Sequence, residues 1–369
     1  MKILYDHQIF SNQSYGGPSR YYVKLVEKIY ELKQNPEIIS GYHINEHLND
    51  IKYKRIVVGK KIPFSKLINQ SIKLKNILRK INQNFFLKHS ENKNPDVIHY
   101  TYFDNINIKI KCKKIVTVYD LIHEIFYKEY KRNQSYRPKK EIIQKADNVI
   151  CISNSTKNDL IKYYDVDEKK IQVIYLGNDI KKFTHKYPKY DKYLNLPYIL
   201  YVGKRDGYKN FDNLLKTFSE NISKLKDIYI VCFGSGGFNK QEIKKVKDLK
   251  LDLNKLIYID GNDELLSLFY QNARLFIYPS KYEGFGLPIL ESFINDCPVI
   301  CSNTSSLPEV GGDAVSYFDP YDTGSIFESM YKTIFDDSFR KDLILKGKKQ
   351  NKLFSWEKTA LKHLKLYKC

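Results

Sequence analysis

The chain has 369 residues, more than a single hydrophobic core usually serves, so two domains are expected. Its 42% hydrophobic and 28% charged content, with apolar runs recurring throughout, excludes disordered, collagen-like and coiled-coil chains. The 62 Lys+Arg against 42 Asp+Glu leave a net charge of +20, so nucleic acid, an anionic membrane and a phosphorylated small molecule are the acidic partners to weigh. Only eight of the basic residues are Arg, the residue that sequence-specific nucleic-acid readers favour. The excess is uneven: residues 1–178 carry 32 Lys+Arg and 18 Asp+Glu, and residues 179–369 carry 30 and 24.

Met1-Lys2-Ile3-Leu4-Tyr5-Asp6-His7 reads as a short strand, Ile3–His7, ending in Asp6 and His7, and not as a signal peptide. Further strands are predicted at Val97–Tyr100, Ile115–Tyr119, Val149–Ile152 and Gln172–Tyr175. The stretch 178–197, with two prolines and little periodic apolar content, reads as a linker. A second series follows: Tyr198–Val202, Ile228–Phe233, Leu256–Ile259, Leu275–Tyr278, Val299–Cys301 and Val315–Phe318. Helical patterns lie near 210–224, 240–250, 262–273, 286–295 and 323–335, and Trp356–Tyr367 is amphipathic. Alternation of this kind predicts an α/β protein of two doubly wound, Rossmann-like parallel sheets. The expected domains are 1–178, with the helix 356–369 a candidate to complete it, and 198–355, joined by 179–197. Ligands of such sheets lie beyond the carboxyl ends of the strands, so two sheets facing each other would hold one in a cleft. Six cysteines without a CxxC pair fit a reducing cytosol, and no apolar run is long enough to cross a bilayer.

Four stretches suggest chemistry. Tyr15-Gly16-Gly17-Pro18-Ser19-Arg20 precedes a helix whose amides would suit an anion or a polar sugar. Val202-Gly203-Lys204-Arg205-Asp206-Gly207-Tyr208-Lys209 puts Arg205 and Lys209 four apart after a strand, where both could close on a diphosphate. Glu283-Gly284-Phe285-Gly286-Leu287-Pro288-Ile289-Leu290-Glu291 places one carboxylate in a flexible loop and another in the following helix, a pattern suited to sugar and ribose hydroxyls. Asp165-Val166-Asp167 offers divalent-metal ligands, but its place before Glu168-Lys169-Lys170 and a strand favours a plain turn. The amphipathic stretch Phe64–Phe86, with Leu67, Ile68, Ile72, Leu74, Ile77, Leu78 and Ile81 among Lys66, Lys73, Lys75, Arg79 and Lys80, suits either a helix packed on the first domain with a solvated basic face or a membrane surface. The packed helix is the expectation.

On these motifs the sequence resembles the retaining glycosyltransferases of family 4, as found in bacterial or viral polysaccharide and O-antigen synthesis, which have the GT-B fold. GGPSRY, VTVYDLIHE at 116–124, ISNSTKNDL at 152–160, YVGKRDGYKNF at 201–211, YEGFGLPILES at 282–292, SSLPEVGGDAVSYFDP at 305–320 and the closing FSWEKTALKHLKLY follow the family's order. The resemblance implies transfer of a hexose from a GDP-, UDP- or dTDP-linked donor to a hydroxyl of a glycan or polyprenyl-diphosphate-linked acceptor, without a metal or other cofactor. Arg205 and Lys209 would hold the diphosphate, Glu291 the ribose, Glu283 the transferred sugar, and Phe285, Gly286 and Leu287 amides the sugar and phosphate. Gly17, Gly203 and Gly234 complete the expected donor site; Asp120 and Tyr119 join the catalytic set, and Arg20 and His123 are candidate acceptor contacts. Many members carry His where this chain has Tyr119, which cannot become a cation near neutral pH; His123 is a candidate substitute. A cytoplasmic enzyme, peripheral at the inner face of the membrane, is expected. Two rivals remain at this level: a nucleotide-sugar epimerase, which needs no acceptor, and a basic nucleic-acid binder, which lacks support because its many Tyr follow strand and helix patterns.

Overall fold

The computed structural model describes all residues except 64, 66, 67, 69, 70, 105, 131–135, 179 and 186. The chain divides into two compact units, residues 1–177 with 355–369, and residues 178–354. Residues 178–197, read from sequence as a linker, belong to the second unit: Phe183 N donates to Ser267 Oγ (3.1 Å), Gln271 Nε2 to Phe183 O (2.8 Å), and Lys182 pairs with Asp296 (2.7 Å).

The first unit holds a seven-stranded parallel sheet in the order β3-β2-β1-β4-β5-β6-β7. Its strands are β1 (Lys2–Tyr5), β2 (Asn35–His43), β3 (Val57–Lys61), β4 (Val97–Tyr100), β5 (Lys113–Val118), β6 (Asn148–Cys151) and β7 (Ile171–Val173). The inner strands are buried over all but their first residues, as a sheet covered on both faces requires. Strands β2 and β3 escape the sequence reading for a physical reason. β2 opens with Asn35-Pro36 and ends in Gly41-Tyr42-His43, while β3 is a partly exposed edge strand, VVGKK, without an apolar run. The first strand also stops at Tyr5, leaving Asp6 and His7 in the loop after it.

The helix Trp356–Lys368 completes this unit. Its buried face carries Trp356, Ala360, His363, Leu364 and Tyr367. His363 Nδ1 faces the Thr359 carbonyl (2.7 Å) and must donate to it, so Nε2 accepts from the Tyr21 hydroxyl (2.7 Å). The Tyr367 hydroxyl meets Tyr5 (3.1 Å) and His99 Nδ1 (2.6 Å), and His99 Nε2 meets Thr117 Oγ1 (2.8 Å). Gly177 lies so close to this helix that a Cβ there would come within 2.1 Å of the Trp356 nitrogen.

The second unit holds a six-stranded parallel sheet in the order β10-β9-β8-β11-β12-β13. Its strands are β8 (Tyr198–Val202), β9 (Tyr229–Phe233), β10 (Leu256–Ile259), β11 (Leu275–Tyr278), β12 (Val299–Ser302) and β13 (Val315–Phe318). The predicted strands of this half recur with ends shifted by at most one residue. A helix absent from the sequence reading, Asp337–Asn351, buries only Leu343 and Gly347 and so lacks an apolar periodicity to betray it.

The helix Ile72–Lys93 begins at its Ser71 cap and packs through Leu78, Asn82, Phe86 and Ser90. Of the apolar face read from sequence only Leu78 is buried; Ile72, Leu74, Ile77 and Ile81 are exposed, and Lys66 and Leu67 lie outside the described residues. No helix among the described residues is long and apolar enough to cross a membrane.

Candidate active site

Each sheet reverses its direction of winding once, and at such a switch point the loops beyond the strand ends diverge and leave a crevice. In the second unit the reversal lies between β8 and β11. The loop after β8 supplies Gly203 to Asn210 and the loop after β11 supplies Pro279 to Gly286. Lys281 N donates to Tyr208 O (2.7 Å), and the Asn210 amide donates to Pro279 O (3.0 Å) and Pro320 O (2.7 Å). The two loops are thereby held as one surface.

On it Lys209 Nζ and Glu283 Oε1 form an ion pair at 2.6 Å, with both side chains largely buried. The ammonium also lies over the rings of Tyr208 (5.1 Å) and Tyr278 (5.7 Å). Burial, and then the Glu283 charge, push the Tyr278 phenol up, so it stays neutral beside the pair. A third loop fixes the backbone that carries it: Glu283 N donates to Ser305 Oγ (2.9 Å), and the Ser306 hydroxyl faces Glu283 O (2.9 Å) and Phe285 O (2.8 Å).

The loop ends at Gly286, the N-cap of the helix Leu287–Ile294, where no side chain bonds the first amides. Its φ of 121° excludes other residues, and a Cβ there would come within 3.1 Å of Leu307. Its amino end carries partial positive charge, while Pro288 brings no N–H and Ile289 N donates to Gly286 O (3.0 Å). On that helix Glu291 accepts from the buried Tyr270 hydroxyl at 3.3 Å and borders a small hollow with Asp263, Ser267 and Asn295.

Arg205 is placed otherwise than expected. Its guanidinium is buried against Glu242 (2.7 Å) and the carbonyls of Gly234 (3.4 Å), Gly236 (2.9 Å) and Gly237 (3.1 Å), with the Phe238 ring beneath it (4.9 Å). It ties the β8 loop to the β9 loop. Gly203 and Gly234 close β8 and β9, each N–H reaching the neighbouring strand (Phe233 O, 3.0 Å; Ile259 O, 2.9 Å).

In the first unit the helix Gly17–Glu31 starts from Gly16 with Pro18 in its first turn and no side-chain cap. A Cβ on Gly17 would meet nothing, so that backbone is open. Arg20 is half-buried one turn on. Tyr119, at the end of β5, is buried edge-on against Tyr21 (5.7 Å) and Tyr22 (6.3 Å), and burial pushes its phenol well above the usual range. It is a neutral packing ring. Asp120 accepts from Ile122 N (3.2 Å), and its carbonyl accepts from Lys139 (3.1 Å). Lys139 is in turn paired with buried Glu124 at 3.0 Å, a support that sequence reading missed because its partners lie 15 residues apart. His123 is half-buried in the short helix Ile122–Ile125.

Asp165 is the left-handed cap ending the helix Asn154–Tyr164, and Asp167 caps the following turn through Lys169 N (3.0 Å). Both serve the turn. No group of three or more His, Cys, Asp or Glu suited to a metal gathers among the described residues.

With this geometry in view, comparison with known proteins is informative. Residues 15–182 match the model of Glycosyltransferase Family 4, and residues 182–350 that of Glycosyl transferases group 1. O-antigen chain mannosyltransferase B of Escherichia coli is 36% identical over 173 residues, covering 46% of this chain and 45% of that protein. A serotype-specific mannosyltransferase, WbdA, of Escherichia coli is 26% identical over 298 residues, covering 72% of this chain and 36% of its own length. The chain thus spans less than half of these curated relatives. Among solved structures, sucrose-phosphate synthase of Thermosynechococcus elongatus superposes with a TM-score of 0.76 at 19% identity, covering 100% of this chain and 98% of that one. WaaG, a glycosyltransferase involved in lipopolysaccharide biosynthesis, gives 0.74 at 12% identity, covering 100% and 99%. These likenesses establish the fold as GT-B. The two family matches together run from residue 15 to 350, and the chain belongs to the group 1 and family 4 glycosyltransferases.

Proposed function

We propose that this protein transfers a hexose, mannose being the first to test, from a nucleoside diphosphate to a hydroxyl of a growing glycan, with retention of anomeric configuration. The observation that carries the reading is the Lys209–Glu283 pair at the second unit's switch point, beside the uncapped Gly286 helix end. When a donor's sugar–phosphate bond breaks, negative charge grows on the diphosphate. A fixed ammonium and the positive end of a helix stabilise that charge with little reorganisation. In this reading no metal ion is required. Glu283, an acceptor of hydroxyl hydrogen bonds, orients the sugar; Glu291 receives the ribose hydroxyls. The bond from C1 to the diphosphate oxygen breaks, one from C1 to the acceptor oxygen forms, and the acceptor's proton passes to the departing diphosphate. Mannose is placed first because two similar proteins are named mannosyltransferases.

The test is thermal unfolding with GDP, UDP and dTDP. A ligand at about 100 times its Kd stabilises by about 2.7 kcal/mol, which raises the midpoint by several degrees. One of the three is expected to do so, and no response to any would overturn the reading.

The helix Ile72–Lys93 adds a location. Ile72, Leu74, Ile77, Ile81 and Phe85 are exposed on it, with Lys73, Lys80 and Lys88 also exposed. Apolar side chains among lysines suit the boundary of an anionic bilayer, where a lipid-linked acceptor would lie. The protein is expected to sediment with phosphatidylglycerol vesicles at low salt, less so at high salt, and less when Ile77 and Ile81 are both exchanged for Asp. Absence of sedimentation at any salt would refute this placement.

A further inference from the structure

The amino ends of the second unit's strands border a hollow of their own. Three segments meet there, residues 194–197 before β8, 271–274 before β11 and 296–298 before β12, three neighbouring strands. With the helix Asp337–Asn351 they line a cavity of about 420 Å³, within the range of small-molecule sites. The Lys209–Glu283 pair follows the carboxyl ends of β8 and β11, so the cavity lies a strand's length from it.

Its lining combines apolar Leu194, Leu196, Pro197 and Ile344 with Arg274 and Arg340. Only eight of the 62 Lys+Arg are Arg, yet two of them meet here. A Lys-rich composition explains scattered cations but not a pair of guanidinium forks in one cavity. Arg274 is held at its backbone, where N donates to Tyr198 O (2.8 Å). Its guanidinium is exposed and has no hydrogen bond or ion pair among the described residues. Arg340 donates to Ile334 O (3.1 Å) and pairs with Asp337 (2.5 Å), which holds the fork in place and leaves it further N–H groups.

The carboxylates nearby are already paired. Burial opposes the charge of Asp296, yet Lys182 (2.7 Å) and Lys348 (3.0 Å) hold its carboxyl below the usual range. Arg274, Arg340, Lys182 and Lys348 thus stand against Asp296 and Asp337, and two positive charges are left uncompensated. A monocarboxylate would balance one of them. A phosphate monoester, mostly dianionic at neutral pH, balances both and offers three oxygens to the two forks. We propose that this cavity binds a small phosphorylated metabolite, with Arg274 donating to its phosphate oxygens, Arg340 closing on them, and the carbon skeleton lying on Leu196, Pro197 and Ile344. The site is separate from the one at Lys209 and does not depend on the transferase reading.

The test is calorimetric titration of the full chain with glycerol 3-phosphate, repeated with glycerate, a three-carbon compound bearing a carboxylate instead of the phosphate. Three variants are compared with the wild type: Arg274→Ala, Arg274→Lys and Lys209→Ala. Arg274 is exposed, so both of its variants should unfold at the wild-type temperature when no ligand is present. Glycerol 3-phosphate is expected to bind the wild type and Lys209→Ala equally, and Arg274→Ala about tenfold more weakly, the effect of losing one charge-assisted contact. Arg274→Lys keeps the charge without the fork and should fall between them. No binding to the wild type, equal binding to Arg274→Ala, or tighter binding of glycerate would overturn the proposal. So would loss of binding in Lys209→Ala, which would put the phosphate at the other end of the sheet. Binding of glycerol 3-phosphate by a protein indifferent to nucleoside diphosphates would sink the transferase reading and leave this cavity standing.

Discussion

Lys209→Ala and Glu283→Ala should each lower transfer from the nucleotide sugar by about 10²–10³, the usual loss when one preorganised stabilising group is removed. The double variant should lose little more than the worse single one. The two groups form one ion pair, so removing either spoils the geometry of the other, and effects of groups acting as a unit do not add. Stability separates this from misfolding. Each single variant leaves a partly buried charge without its partner and should lower the unfolding free energy by about 1–3 kcal/mol, a cost the double variant relieves. A double variant as inactive as the singles yet more stable than them would identify the pair as functional. Undiminished turnover in either single variant would remove it from the reaction. Arg205 differs. Its guanidinium joins Glu242 to three carbonyls, so Arg205→Ala should cost stability first, whatever it does to turnover.

Acid should unfold the first unit before the second. Four histidines are buried there: His7, with its pKa lowered to about 3, His43 and His363, each lowered to about 4, and His99, held well below the usual range. Burial is the leading cause for all four. The unfolded chain takes up a proton at each as pH falls through about 6.5, while the folded unit refuses it until far lower. Stability is therefore present above about 6.5 and lost as pH falls. Asp6 works in the opposite sense: burial raises its pKa to about 6, so the folded form binds this proton first and gains stability as pH falls towards 4. The net is about three protons, or roughly 4 kcal/mol per pH unit between about pH 4 and 6. Between pH 7 and 5 that amounts to several kcal/mol, comparable to the whole stability of a typical domain. The chain's single tryptophan, buried Trp356, reports on this unit alone. Its fluorescence in urea should give a midpoint that drops steeply from pH 7 to 5, while the second unit's helical signal persists. A flat midpoint would mean that these imidazoles are solvated.

The second unit was nearly transparent in the sequence, since its strands are short apolar runs set off by glycine-bearing loops, one of which carries Glu283. Lys209 and Glu283 could be named from their places at strand ends, though their contact could not. The contact of Arg205 with Glu242 was out of reach of the sequence, since that partner lies 37 residues on, in a helix start built by the Asn239 capping box. In the first unit β2 and β3 carry too little apolar pattern to be seen. His7 was visible at a strand end, yet the chain of bonds from its Nδ1 through Ser11 and Asn82 to Tyr42 joins separate elements. Tyr119 was read as unable to take on the charge of the family's usual histidine; its packing edge-on against Tyr21 and Tyr22 depends on residues nearly 100 positions away.

The return of the chain at residue 355 to finish the first unit has a consequence for how the protein is made. Tyr5, Tyr21 and His99 emerge from the ribosome early, but the hydroxyl and the imidazole that meet them arrive with Tyr367 and His363, more than 260 residues later. The N-terminal sheet therefore waits, with one polar seam open, until the second unit has been synthesised. The second unit, encoded between these partners, is complete before the helix that finishes the first has emerged.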